Sequence, residues 1–268
     1  MILANYGVVS SSGGVGYDAD ALAFMTAASI TDNTQKTAVN TLVNDLKINN
    51  IWTKIKAIYP FVGGSATSHK FNLKDPRDLN AAFRLTFSGG WTHSSTGSLP
   101  NGTTAFADTN LVPSTNLTLP FLGVYLSTNT NTGTAQMDIG SKDASNIRYL
   151  WLSSWYNADG FTNVLARNSS VSTLLNGGAT TDSRGWYWTN KIGTTAKLGR
   201  GASILTTGTD VQTPPTISIG LAAQNTETVP NNYSNREQAI TIIADSLSDT
   251  DTSNLNTIIT TFNTTLSR

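Results

Sequence analysis

Few groups in this chain could carry out chemistry, and none of them has the spacing of a catalytic or metal-binding motif. His69 and His93 are the only histidines. A pair of imidazoles could bind a metal ion, but neither has a second histidine at His-x-x-x-His spacing and the chain has no cysteine. We therefore interpret His69 as a polar residue on a strand and His93 as part of a turn.

The acidic residues also lack a catalytic arrangement. Asp75 and Asp78 flank Arg77, and a carboxylate pair could act in glycoside hydrolysis as acid and nucleophile or base. Their three-residue spacing around a proline is more typical of a turn with a local Arg–Asp pair. The only glutamates are Glu227 and Glu237, and the acidic Glu-x-Asp-x-x-Glu strand of jelly-roll glycosidases is absent. We predict that the protein is not an enzyme.

Two aromatic clusters are the strongest candidates for ligand contacts. They read WLSSWY at 151–156 and WYW at 186–188. Tryptophan and tyrosine rings stack on sugar rings, and neighbouring polar groups can hydrogen-bond sugar hydroxyls. The same side chains also fill cores and subunit interfaces, and this alternative stays open. The candidate glycan contacts are Trp151, Trp155, Tyr156, Trp186 and Trp188.

The charge composition excludes some classes of partner. Charged residues make up 13% of the 268 residues, with 17 basic and 17 acidic side chains and a net charge of zero. A nucleic-acid-binding protein would concentrate basic charge, so we expect no nucleic-acid partner. No apolar run approaches the roughly 18 residues of a membrane span, and no signal peptide is visible, so we expect no membrane insertion.

Small neutral polar residues take the place of the charges. The chain has 41 Thr, 27 Ser and 26 Asn, and 38% of its residues are hydrophobic. Thr favours strands, whereas Ser and Asn favour turns and caps. This composition is typical of a β-protein exposed outside the cell or on a virion, and the hydrophobic content is sufficient for a sizeable core.

The elements that must position these residues divide the chain into four parts. Residues 1–17 read as an arm, because they are rich in Ser and Gly. Residues 18–60 read as helical, with caps at Asp18 and Asp32 and an apolar stripe at 51–58 that ends before Pro60. Residues 247–268 read as a C-terminal helix that packs near the helices of 18–59, capped by Ser248 or Thr250.

The part between the helices, residues 61–246, has a β pattern. Polar and apolar residues alternate at 69–73, 83–87, 135–139 and 217–221, and Gly- or Asn-rich turns separate these segments. Many short strands without long intervening helices predict an antiparallel sandwich or barrel. On the strand at 186–188, Trp186 and Trp188 should share one face and Tyr187 the other.

Longer stretches carry a family resemblance. They read YDADA at 17–21, TD at 31–32, IWTKIKAIYPFVGG at 51–64, SHKFNLKDPRD at 68–78, AAFRL at 81–85, FSGGWTH at 87–93, PNGT at 100–103, NREQA at 235–239, LSD at 247–249 and FNTTLSR at 262–268. In these stretches the chain resembles a family of structural proteins of tailed bacteriophages. The resemblance covers both ends of the chain well and residues 120–230 poorly.

The resemblance implies a fold and a place in a particle. It implies a mainly β protein, an antiparallel jelly-roll sandwich of the concanavalin or laminin-G type, with N-terminal helices and a C-terminal helix. It also implies a virion component on the head or tail surface, as head fibre, decoration or tail-associated protein. We expect other virion proteins as partners and a homo-oligomer, favouring a trimer. Arm residues Tyr6, Val8 and Val9 are the candidates for attachment.

Two alternatives stay beside the structural role. The same fold could serve as a glycan-binding module that recognises host surface glycans; a capsule depolymerase would need a carboxylate pair that the sequence does not supply. We expect no cofactor. Calcium is a weaker alternative, because laminin-G-like folds sometimes carry it and Asp138, Asp143 and Asp159 lie near predicted loops, although no Asp-x-Asp-x-Asp-Gly loop is present.

Overall fold

The computed structural model describes residues 16–143, 147–158, 160–169 and 173–268. The candidate attachment residues Tyr6, Val8 and Val9 lie outside the described residues, as does Asp159. In the described part of the chain, no helix is both long and apolar enough to cross a bilayer.

The helices lie at both ends of the described chain, with two short ones between strands. They are α1 (Ala19–Ala27), α2 (Asn33–Ile48), α3 (Ala66–His69), α4 (Pro113–Asn116) and α5 (Asp249–Thr265).

The three longer helices begin where the sequence supplies a cap. Asp18 caps α1, and the carboxylate of Asp32 accepts a hydrogen bond from the Gln35 backbone N–H at the start of α2. Ser248 caps α5 in a reciprocal capping box with Asp251. The predicted helix starts at these three positions are therefore confirmed.

Strands occupy most of the remaining chain. They are β1 (Ile55–Tyr59), β2 (Thr86–Ser88), β3 (Trp91–His93), β4 (Ser98–Pro100), β5 (Phe106–Asp108), β6 (Pro120–Leu126), β7 (Ile139–Lys142), β8 (Tyr149–Ala158), β9 (Phe161–Asn168), β10 (Leu175–Ala179), β11 (Gly185–Ile192), β12 (Thr195–Arg200), β13 (Ser203–Thr209), β14 (Gly220–Leu221) and β15 (Gln238–Asp245).

These strands form two antiparallel sheets. The eight-stranded sheet has the order β13-β12-β11-β6-β15-β4-β3, with β1 as a further partner of β15. The seven-stranded sheet has the order β10-β9-β8-β7-β14-β5-β2. Every pair of these strands is antiparallel. The predicted fold class, a mainly β antiparallel sandwich with few helices, is confirmed.

Two apolar cores hold three layers together. One core lies between the sheets and includes Leu122, Leu152 and Tyr187. The other lies between the eight-stranded sheet and helices α1, α2 and α5, and it includes Trp188 and Ile259. The C-terminal helix therefore packs beside the N-terminal helices, as predicted. The helices cover the outer face of the eight-stranded sheet.

Three local predictions are wrong. His93 does not lie in a turn but ends β3, where it pairs with Ser98 of β4. Residues 51–58 do not form a helix: a single 3-10 turn at Trp52–Lys54 leads into β1, which pairs with β15. A short apolar run fits a strand as well as a helix, and pairing with β15 decides between them. His69 does not lie on a strand but ends α3, because Ser65 and Ser68 form a capping box that starts this helix.

Of the four alternating segments predicted as strands, the three after 69–73 contain strands shorter than predicted. Only the end of each segment pairs in the seven-stranded sheet, in β2 for 83–87, β7 for 135–139 and β14 for 217–221. Alternation marks which side of the chain is apolar, whereas strand length depends on the backbone hydrogen bonds that a neighbouring strand supplies.

Candidate functional site

The aromatic cluster at 186–188 lies inside the molecule. β11 alternates as predicted, so Trp186 and Trp188 face the helices and Tyr187 faces the other sheet. Trp186 is 3% exposed and Trp188 is 0% exposed, and the Trp188 indole N–H donates to the Gly201 carbonyl at 2.9 Å. Helices cover this face of β11, so the prediction that Trp186 and Trp188 contact a glycan is wrong.

The cluster at 151–156 is placed differently. On β8, Leu150 and Leu152 pack between the sheets, so Trp151 faces away from the sandwich. The pairing of β8 with β9 shifts by one residue between Ser153 and Tyr156. This β-bulge returns Tyr156 to the side of Trp151, where strict alternation would have placed it on the opposite side. The two rings stack with centroids 6.2 Å apart and 17° between their planes.

These rings belong to a small apolar group on the outside of the seven-stranded sheet, which we call the outer-face cluster. Its members are Met137, Tyr149, Trp151, Tyr156, Leu165 and Leu174. Trp151 is only 4% exposed, whereas Tyr149 and Tyr156 are half-buried. Gly140 is the β7 partner of Trp151 and adds no side chain beside it. The two tyrosines therefore supply the accessible aromatic surface, and Trp151 supports it.

Two basic side chains border the outer-face cluster. The Arg167 guanidinium lies 5.5 Å from the Tyr149 ring centroid, and the Lys142 ammonium nitrogen lies 5.1 Å from it. Arg167 is also the β9 partner of Trp151, which fixes its position across the sheet. Burial lowers the pKa of Arg167. The face thus combines aromatic surface with cationic hydrogen-bond donors.

Trp155 is not part of this cluster. It lies in the bulge, and its carbonyl accepts a hydrogen bond of 2.6 Å from Arg236. Its indole N–H is buried without a hydrogen-bond partner among the described residues. Of the five candidate glycan contacts, the structure therefore brings together Trp151 and Tyr156 and separates the other three from them.

The candidate calcium ligands do not fit a calcium ion. Asp138 is fully buried, and its carboxylate accepts a hydrogen bond of 2.8 Å from Arg236. The two side chains form an ion pair, so the positive charge of Arg236 balances the negative charge of the carboxylate. Asp143 lies 3.7 Å from Arg148 in an ion pair. Across the residues the structure describes, no three His, Cys, Asp or Glu side chains are grouped to hold a metal. The calcium alternative is therefore not supported at Asp138 and Asp143.

The remaining polar candidates form local contacts. Arg77 pairs with Asp75 through two hydrogen bonds of 2.7 and 2.5 Å, which confirms the predicted local Arg–Asp pair. The nearby Asp78 pairs instead with Lys70 and Arg84. Each of these two carboxylates is thus held by a cation, and hydrogen bonds from those cations lower the pKa of both.

The two histidines come together although they are distant in sequence. The ring centroids of His69 and His93 lie 5.0 Å apart in an edge-to-face contact, next to the rings of Phe61 and Phe87. No acidic side chain joins them in a metal-binding group within the described part of the chain. The pair sits in an aromatic environment that favours neutral imidazoles.

The sequence analysis missed Tyr149 of the outer-face cluster and both basic residues on its border. Lys142, Tyr149 and Arg167 lie on β7, β8 and β9, and strand pairing alone brings them together. Strand alternation could have placed Tyr149 on the same face as Trp151, because the two residues lie two positions apart. The two cations follow no fixed spacing in the sequence.

Comparison with known proteins gives structural matches only. No protein-family model and no curated protein matches the chain. A mutant of the Trypanosoma rangeli sialidase with trans-sialidase activity has a TM-score of 0.55 and 10% identity over 84% of this chain and 39% of that chain. The T. rangeli sialidase in complex with 2,3-difluoro-KDN has a TM-score of 0.50 and 8% identity over 82% and 39%.

A third match is a separate domain. Domain 4 of a GH43 extracellular arabinanase from Geobacillus stearothermophilus, in complex with arabinotriose, has a TM-score of 0.47 and 17% identity over 75% of this chain and 98% of that chain. At identities of 10% and 8%, the similarity to the two sialidases shows a shared fold only. This chain spans about two fifths of their length. The virion role stays a prediction. In fold, this chain is a β-sandwich similar to part of a sialidase.

Proposed function

We propose that this protein is a carbohydrate-binding module without enzymatic activity, and that it binds glycans at the outer-face cluster. The observation that carries the proposal is the placement of Tyr149 and Tyr156, half-buried and supported by Trp151, on the sheet face opposite the helices. The sialidase of similar fold binds the sugar acid 2,3-difluoro-KDN, which agrees with a carbohydrate as the ligand class.

The chemistry of this face suits a sugar ring. The C–H face of a pyranose packs on an aromatic ring, and the ring hydroxyls need hydrogen-bond partners at its edge. Tyr149 and Tyr156 supply the rings, and Lys142 and Arg167 supply N–H donors beside Tyr149. Because these residues lie on paired strands, the site is preorganised by the sheet.

The test compares three single variants by glycan array and then by calorimetric titration of the best array ligand. Tyr156→Ala removes an accessible ring, and Trp151→Ala removes its support. Tyr17→Ala is the matched control, because Tyr17 is 40% exposed beside α1 on the helical side of the molecule. By analogy with aromatic platforms for nucleobases, each loss at the outer-face cluster should cost about 1–3 kcal/mol of binding free energy.

The result that contradicts the proposal is equally specific. Glycan binding that is unchanged in both Tyr156→Ala and Trp151→Ala, with folding intact by circular dichroism, would move the site elsewhere. An array without any bound glycan for the wild-type protein would remove the proposed function.

The expectations about a phage particle rest on the sequence resemblance to structural proteins of tailed bacteriophages. Display on a phage particle, attachment through the arm and a trimeric homo-oligomer stay predictions. Glycan recognition and display are compatible, because the helices and the outer-face cluster lie on opposite sides of the sandwich.

A further inference from the structure

A shallow cavity that is open to solvent lies at the β2 edge of the seven-stranded sheet. Its volume is about 290 Å³, and two basic side chains, Lys70 and Arg84, line it. Lys70 follows α3, and Arg84 lies just before β2. Both are accessible, since 24% of the Lys70 side chain and 34% of the Arg84 side chain are exposed. Strands β5 and β14 lie between β2 and the strands of the outer-face cluster.

The two cations share one carboxylate. Lys70 Nζ donates to Asp78 Oδ2 at 2.6 Å, and Arg84 Nη1 donates to Asp78 Oδ1 at 2.7 Å. Two positive charges therefore face one negative charge, and one positive charge of this group stays unbalanced. Because both head groups flank the same carboxylate, they lie close enough together for a second carboxylate to contact both.

Two further carboxylates near this group do not balance its charge. Asp75 is held by Arg77, which donates to both of its carboxylate oxygens. Asp108 is the β5 partner of Thr86, and its Oδ1 accepts from the Asn110 backbone N–H at 2.8 Å. Neither carboxylate lines the cavity. The cavity wall formed by the two cations therefore keeps a net positive charge.

Several N–H donors of the two cations are available to a ligand. An ammonium group has three donors, and Lys70 uses one of them on Asp78. A guanidinium group has five donors, and Arg84 uses Nη1 on Asp78 and Nε on Asn80. Neither head group donates a further hydrogen bond within the described part of the chain. The site thus offers donors of two cations in one place.

The backbone holds the two cations in position. The Leu85 N–H donates to the Lys70 carbonyl at 2.8 Å, which joins the segment after α3 to the segment that carries Arg84. Phe83 has a φ of 59°, a left-handed conformation that bulky residues rarely adopt, and its carbonyl accepts from the Tyr59 hydroxyl at 2.6 Å. Such a conformation persists only where the surroundings fix it. A site fixed in this way loses little conformational freedom when it binds a ligand.

The charge and the lining of the cavity select the class of ligand. One net positive charge matches a carboxylate, whereas a divalent phosphate would leave a negative charge unbalanced. Carboxylate oxygens also accept strong hydrogen bonds from guanidinium and ammonium groups. Leu85 and Phe87 add apolar wall, and Thr67 and Thr86 add hydroxyl groups. A uronic acid combines a carboxylate with carbon-bound hydrogens and hydroxyls, so it is complementary to all three kinds of lining.

We propose that the cavity between Lys70 and Arg84 binds an acidic sugar of the uronic acid type, whose carboxylate accepts hydrogen bonds from Lys70 Nζ and the Arg84 guanidinium. The proposal does not require binding at the outer-face cluster. If both sites bind, the cavity at the β2 edge lets the protein distinguish acidic from neutral sugars.

The test uses the full chain and follows backbone amide shifts by NMR at neutral pH and constant ionic strength. The probes are sodium D-glucuronate and sodium D-galacturonate, each titrated to about 50 mM, a range that detects millimolar affinity. For at least one probe we expect saturable shifts at residues 66–70 and 84–87. Methyl α-D-glucoside, which lacks the carboxylate, and inorganic phosphate should bind there about 10-fold more weakly or not at all.

Three variants change the charge of this region in known directions. Arg84→Gln removes a cation and should weaken binding about 10-fold or more, because a hydrogen bond between charged groups is lost. Asp78→Asn removes the competing carboxylate and should tighten binding. Arg77→Gln is the matched control: it makes the same charge change as Arg84→Gln at an exposed side chain that does not line the cavity, so the affinity should stay unchanged.

The proposal is overturned if neither uronate shifts these amides, or if methyl α-D-glucoside or phosphate binds there equally well. A second cation variant, Lys70→Gln, protects the test against misfolding of Arg84→Gln, and unchanged affinity in both variants also overturns the proposal. Tyr156→Ala should leave the shifts at 66–70 and 84–87 unchanged, so failure here is distinct from failure of the outer-face cluster.

Discussion

The Nδ1 atoms of His69 and His93 lie 2.9 Å apart, so the two histidines of this chain share a direct hydrogen bond across the fold. One imidazole donates and the other accepts, and His69 is only 2% exposed. Burial, with the nearby His93 and Arg268 as smaller causes, lowers the pKa of His69 to about 3. Burial also lowers the pKa of His93. The fold therefore requires both rings to be neutral at neutral pH.

The protein should lose stability in mild acid because of this pair. Between pH 6.5 and 3 the unfolded chain binds a proton at His69 that the folded chain does not, so the free energy of unfolding falls as pH falls. The slope from this group reaches about 1.4 kcal/mol per pH unit. We expect a clear drop between pH 6.5 and pH 5.0, measured by urea unfolding.

The control for this prediction is His69→Leu, which removes the titrating group from the buried site. The variant should show a smaller loss of stability from pH 6.5 to pH 5.0 than the wild-type protein. Equal losses in both proteins would assign the acid sensitivity to other groups.

Arg268 should stabilise the contact between the C-terminal helix and the sandwich. Its guanidinium donates to the backbone carbonyls of Ser95, Pro60, Ala239 and Phe61 at 2.7–3.1 Å. Burial lowers its pKa to about 10, so it stays charged at neutral pH. Arg268→Ala leaves four carbonyls without this donor and should cost about 2 kcal/mol of unfolding free energy.

The matched control for Arg268 is Arg77→Ala. Arg77 is exposed and pairs locally with Asp75, so its removal should leave the urea midpoint unchanged. Equal midpoints for wild type and Arg268→Ala would show that these carbonyl contacts contribute nothing to stability.

Gly199 should not tolerate a side chain. It is the β12 partner of Trp188, and a Cβ at this position would overlap the buried indole. Gly199→Ala should destabilise the protein by about 1–3 kcal/mol, because the core between sheet and helices cannot expand without strain. Thermal unfolding measures this, with Gly16→Ala as control, since nothing lies within 4 Å of a Cβ there. Equal melting temperatures for both variants would mean that the Trp188 indole can move.

The arm should be dispensable for folding. Helix α1 begins at Ala19, and its cap Asp18 is held inside the described fold, where its backbone N–H donates to Asn40 and its carboxylate pairs with Lys47. A chain without residues 1–17 should therefore keep its melting temperature. If the resemblance holds, it should fail to enter phage particles, and normal incorporation would place attachment on another surface.

Elements that depend on local interactions could be predicted from the sequence. Caps at Asp18, Asp32 and Ser248 determine where three helices begin, because each capping side chain binds a backbone N–H two or three residues away. Alternation predicted the β-sandwich and the opposite faces of Trp186 and Tyr187. The close spacing of charged residues around Pro76 predicted the local pairing of Arg77 with Asp75.

Which of these faces a ligand can reach depends on tertiary packing. Alternation assigns a residue to one side of its strand, but the layer that covers that side is set by elements far away in the chain. Helices cover Trp188, whereas a one-residue bulge carries Tyr156 to the outer sheet face beside Trp151. The contacts of His69 with His93 and of Lys191 with Asp210 join residues 24 and 19 positions apart, so no local pattern predicts them.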